Sequence, residues 1–115
     1  MKYVYIAGPY TAPNYFAIER NINAAAEVAA FLAESGVGFF CPHLHSAHFE
    51  VITPDVPPVY WYDLDIHFME KCDAIYLLPG WQRSVGTLRE KALMEEWGRP
   101  VFESLYVLKE WLDGR

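Results

Sequence analysis

Tyr3-Val4-Tyr5-Ile6-Ala7, an unbroken apolar and aromatic run, is stopped at once by Gly8-Pro9. A run this short suits a strand buried on both faces, and the Gly-Pro pair ends it. The same shortness leaves too little for a signal peptide's apolar region or a membrane span, so a cytoplasmic protein is expected. The residues that follow change period. Ile18, Ile22, Ala25, Ala29 and Leu32 recur at helical spacing until Ser35-Gly36 supplies a helix stop.

Working outward, residues 37–41 read as a second strand, 60–71 as a helix and 74–78 as a third strand. A helix over 87–97, a short strand at 100–102 and a last helix over 105–112 complete the series. Between the second strand and the next helix, residues 42–58 hold four prolines and are expected to form an irregular excursion. Loops of that length in a small domain are usually functional.

Strands alternating with helices long enough to cross over imply a parallel sheet covered on both faces. The expected fold is therefore α/β, a flavodoxin/Rossmann-like parallel sheet of four to five strands in the order 2-1-3-4. Ligands in such sheets gather at the carboxyl ends of the strands beside the switch in order. That expectation brings the Gly8 loop, the His-bearing segment after residue 41 and the Pro79-Gly80-Trp81 loop around one crevice.

Size and charge narrow the functional classes. A chain of 115 residues with 53% hydrophobic and 17% aromatic residues forms one domain with a real core, here expected over 1–115. Fifteen acidic against nine basic residues give a net charge of −6 with no basic run, which disfavours a nucleic-acid polymer as partner. An anionic small molecule stays open, because one or two Arg and a helix N-terminus suffice locally. Cys41 and Cys72 lack CxxC spacing and read as buried free thiols.

Two carboxylates stand out. Glu90 shares a helical face with Leu93, Met94 and Trp97, and Asp65 shares one with Trp61, Phe68, Met69 and Cys72. Asp63, by contrast, lines up with His67 and Glu70 on a solvated side. Desolvated acids are costly unless used, so a pair of them beside one crevice points to chemistry. Each also has a plain structural reading. Thr87-x-x-Glu90 fits a capping box, and Asp65 can complement a helix dipole.

Taken together, these motifs resemble the nucleoside 2-deoxyribosyltransferases and related nucleotide N-glycosidases. Val4-Tyr5-Ile6-Ala7-Gly8-Pro9 looks like their first strand, Asp65-Ile66 with Cys72-Asp73 like their second signature, and Ser84-Val85-Gly86-Thr87-Leu88-Arg89-Glu90 like their catalytic turn. Ala92 and Gly98-Arg99-Pro100-Val101 extend the likeness. The resemblance implies that Glu90 attacks the anomeric carbon, that Asp65 handles the proton on the departing base and that Tyr5 orients Glu90. This matches the logic of retaining glycoside chemistry, and it needs neither metal nor organic cofactor. Ser84 stands where the transferases carry an acid and the monophosphate-cleaving relatives a Ser. The expected activity is therefore hydrolysis of a (deoxy)nucleoside 5′-monophosphate, with base exchange or non-catalytic nucleotide binding as alternatives.

Substrate contacts are expected from Gly8, Pro9, Tyr10, His43, His45, Trp81, Ser84 and Gly86. Ser84 and Gly86 would bring a hydroxyl and helix-terminal amides to an anion, although Ser84 also reads as a simple turn or N-cap. His43, His45 and His48 in one segment allow a metal reading, but no fourth ligand stands in clear spacing. Arg20, Asn21, Arg83 and Arg89 read as solvated or as phosphate ligands. A purely structural subunit would use the aromatic content for interfaces instead. The resemblance further implies a homodimer or homotetramer, since members of that family commonly complete each site with a neighbouring subunit.

Overall fold

A computed structural model describes residues 1–114. In chain order it contains β1 (Tyr3–Ala7), α1 (Tyr15–Glu34), β2 (Gly38–Phe40), α2 (Pro42–His45), α3 (Phe49–Ile52) and α4 (Pro58–Met69). There follow β3 (Ala74–Leu77), a 3-10 turn (Trp81–Arg83), α5 (Val85–Glu96), β4 (Val101–Phe102) and α6 (Leu105–Asp113). The strands form one sheet, parallel as the alternation of elements requires, and their order is β2-β1-β3-β4, as expected. The protein is an α/β domain of Rossmann-like architecture, and no helix among the described residues is long and apolar enough to cross a membrane.

Alternation along β1 builds the two halves of the core. Val4 and Ile6 face one layer, packing with Ala25, Ala29 and Leu32 of α1 and Leu108 and Leu112 of α6. Tyr5 and Ala7 face the other, against Met69 of α4 and Met94 of α5. Each fully buried aliphatic side chain here contributes about 2 kcal/mol of transfer free energy, which is why the central strands tolerate no solvated face.

Local chemistry sets the helix ends. Asn14 caps α1 by accepting from the Ala17 amide at 2.8 Å, and Gly36 takes the left-handed turn that follows the helix at φ +73°. Arg99 donates to the carbonyls of Met69, Glu70 and Cys72 at the end of α4. Asp73 receives the Tyr3 amide at 2.8 Å and donates its own to the Tyr3 carbonyl, bracketing the foot of β1.

The structure also corrects the boundaries. Residues 42–58 are not wholly irregular, because Pro42 and the chain after His48 each start a single helical turn, α2 and α3. The helix expected from residue 60 begins at Pro58, where proline suits the first helical position. Strands two and four are shorter than expected, ending at Phe40 and beginning at Val101. The helix expected from Thr87 begins at Val85, since Ser84 and not Thr87 is its cap.

Candidate active site

Because every parallel strand carries its carboxyl end to the same edge, the segments leaving β1, β2 and β3 meet there. Among them opens a cleft of about 790 Å³. Gly8, Pro9 and Tyr10 line it from the end of β1, α4 presents Trp61, Tyr62 and Asp65, and the start of α5 presents Ser84, Gly86, Thr87 and Glu90. Phe49, Pro54 and Val56 supply an apolar wall from the segment between β2 and α4.

Glu90 and Asp65 are both in this cleft and both 9% exposed. Asp63 is exposed, as the helical register of α4 demands. Burial pushes the Glu90 carboxyl up to about 7; a hydrogen bond from the buried Tyr5 hydroxyl to Oε2 opposes this, and the charge of Asp65 adds to it. Tyr5 itself is held well above its usual range, by burial first and then by the Glu90 and Asp65 charges, so it remains a donor. Burial also raises Asp65 to about 7, and its Oδ1 has no hydrogen-bond partner among the described residues. A buried acid left without a partner is the kind of group a ligand completes.

Ser84 caps α5 by accepting from the Thr87 amide at 3.2 Å, and it also accepts from the Thr87 hydroxyl at 2.9 Å. The Thr87–Glu90 capping box is thereby overturned: Thr87 is inside the first turn, and Glu90 is free of capping duty. With both bonds accepted, the Ser84 proton is available to an acceptor in the cleft. An added Cβ on Gly86 would meet nothing within 4 Å, so the first turn of α5 is bare on that side. Arg83, whose reading the sequence left open, lines the cleft beside Ser84 and is in no salt bridge among the described residues. Gly80 makes room for it, since a Cβ there would lie 2.8 Å from the guanidinium.

His43 is buried and lines the cleft. Its Nε2 meets the Pro9 carbonyl at 2.7 Å; a carbonyl only accepts, so Nε2 carries the proton and Nδ1, 3.7 Å from the Cys41 thiol, is the acceptor. Burial lowers the His43 pKa, consistent with a neutral ring. This contact ties α2 to the turn at Pro9.

Two expected contacts fall outside the cleft. His45 is exposed and packs against Phe40 and Phe68, because the single turn of α2 aims His43 inward and carries His45 away. Trp81 turns its indole N–H to Glu103 at 3.0 Å and packs against the core. The three histidines do not converge: His48 pairs with Glu19, and no group of metal-ligating side chains assembles among the described residues. Arg20 and Arg89 lie over the Phe16 and Tyr62 rings. Asn21 donates to the Tyr10 carbonyl at 3.0 Å, a positioning role the helical stripe did not reveal. Cys41 and Cys72 are buried free thiols, as expected.

Fold and site thus define a parallel α/β domain with a carboxylate-bearing cleft at the carboxyl ends of its strands. Residues 2–105 match the family described as "Domain of unknown function (DUF1937)", and the chain belongs to that family. No curated protein matches it.

Proposed function

We propose that this protein hydrolyses the base–sugar bond of a (deoxy)nucleoside 5′-monophosphate through a covalent glycosyl–Glu90 intermediate. The observation that carries the reading is the pair of desolvated acids in one cleft, Glu90 hydrogen-bonded by Tyr5 and Asp65 with a free oxygen. Ionised Glu90 attacks the anomeric carbon as the C–N bond breaks, and protonated Asp65 gives its proton to the departing base. Asp65, now ionised, takes a proton from water as that water attacks the same carbon. The ester to Glu90 then breaks, leaving free base, sugar phosphate and the starting enzyme.

Raised values near 7 suit both roles, because a group titrating near the operating pH can give and take a proton with little penalty. Tyr10, Trp61 and Tyr62 offer aromatic surface to the base, and Ser84, Gly86 and Arg83 offer donors and positive charge to the phosphate. Exposed Val59, Tyr60, Val85 and Leu88 on the first turns of α4 and α5 support a homodimer or homotetramer. Two free thiols suit the cytoplasm.

The test is incubation with a panel of nucleoside and deoxynucleoside 5′-monophosphates, with free base quantified, against Glu90→Gln as control. Free base from the wild type alone supports the reading. Base exchange in place of hydrolysis when a second base is supplied would favour the transferase alternative. Nucleotide binding without bond cleavage would overturn the catalytic reading in favour of a binding protein.

A further inference from the structure

One wall of the cleft is attached differently from the rest. The backbone amides of Val51, Ile52, Thr53 and Val56 donate to the carbonyls of His48, Phe49 and Thr53, all within the same segment. None of residues 46–57 belongs to either apolar core among the described residues, and α3 buries no side chain. Its ties to the body are instead a cluster of polar and aromatic contacts. The Tyr10 hydroxyl accepts from the His48 amide at 2.8 Å and donates to the Glu50 carboxylate at 2.9 Å. His48 Nε2 meets Glu19 of α1 at 2.6 Å, with its ring stacked on Tyr15, and Phe49 meets Trp61 edge-on. His48 is also the one non-glycine residue with positive φ among the described residues, at 66°, a conformation that is uncommon for residues with a side chain.

We propose that residues 46–57 are a lid that swings over the cleft as one unit, with Tyr10 and Glu19 as its latch. The hinges are Ser46, which ends α2 beyond the anchored His43, and Pro57, which precedes α4. Internal hydrogen bonds keep the unit intact when it moves, while its outward bonds are exposed or half-buried and so readily exchanged for water. Swinging it carries Phe49, Glu50, Pro54 and Val56 towards or away from whatever the cleft holds, whichever ligand that is.

Relaxation-dispersion NMR on the whole chain without ligand tests this, read together with hydrogen exchange at the His48 amide. One common exchange rate is expected for residues 46–57, with none in β3 or α5. Glu19→Gln, which lies outside the cleft, and Tyr10→Phe should each raise the open population several-fold. Tyr10→Phe should also speed exchange of the His48 amide on the order of tenfold, with sheet amides unchanged. The lid is overturned if the segment shows neither dispersion nor faster exchange than the sheet, if its residues move at unrelated rates, or if neither variant changes them. None of these readouts requires turnover, so failure here leaves the N-glycosidase reading standing, and the reverse holds as well.

Discussion

The Tyr5 hydroxyl donates to Glu90 Oε2, joining the middle of β1 to the second turn of α5 across 85 positions of sequence. That bond opposes the burial that raises the Glu90 carboxyl. Tyr5→Phe keeps the buried ring and removes the donor, so Glu90 should titrate higher. The acid limb of kcat/KM should move up by on the order of one pH unit. An unmoved limb in a well-folded variant would show that Tyr5 does not tune Glu90.

In the proposed reaction Glu90 also links activity to stability. Its folded value near 7 exceeds the ordinary 4.5, so the native state holds this proton more tightly than the unfolded chain does. Stability is then greatest below about 4.5, falls as pH rises towards 7, and is flat above. Glu90→Gln should abolish turnover and raise the melting temperature by several degrees at pH 8, with the gain shrinking by pH 5. Melting curves across that range decide it; a gain independent of pH would rule out the charge as its cause.

In the proposed reaction Asp65 must hold a proton when the base leaves, whereas Glu90 must be ionised. Activity should therefore follow a bell around pH 7, with limbs that belong to the coupled pair. Asp65→Asn should slow cleavage of bases that need protonation by roughly 10²–10⁴-fold and erase the alkaline limb. Asp63→Asn, at an exposed position on the same helix, should behave as wild type. The opposite ranking would reassign the acid.

Under the proposed function, Ser84 and Arg83 should govern charge selection. Ser84→Asp sets a carboxylate where the phosphate is proposed to bind, and it should depress kcat/KM for a 5′-monophosphate far more than for the parent nucleoside. Ser84→Ala should cost less, and Arg83→Gln should lower monophosphate use with little effect on the nucleoside. Kinetics on both substrates for all four proteins give the answer. A wild type that prefers the unphosphorylated nucleoside would remove the phosphate from the site.

Oligomeric state is a separate expectation. Light scattering at micromolar concentration should return twice or four times the mass of one chain, and a monomer would leave the exposed Val85 and Leu88 without that explanation.

Both carboxylates were legible from sequence because period is local. Glu90 sits one turn from Met94, and Asp65 four residues from Met69, so each acid's inward face follows from helical geometry alone. Caps were less legible: Ser84 and Thr87 are both good capping residues, and the choice between them depends on where the chain leaves the 3-10 turn.

From sequence alone came the parallel α/β sheet, its order, the edge where a ligand would sit and the two inward acids. The sheet and the inward acids follow from apolar spacing and from the rule that crossovers return strands to one direction, while the order and its ligand edge came by likeness to flavodoxin-type sheets. Only the tertiary structure decided which distant groups meet: Tyr5 with Glu90, His43 with Pro9, Tyr10 with Glu50, and His48 with Glu19. It also removed His45 and Trp81 from the cleft. No period aims a side chain in an irregular segment, where single torsions such as the left-handed turn at His48 set direction and only closure against the rest of the fold selects them.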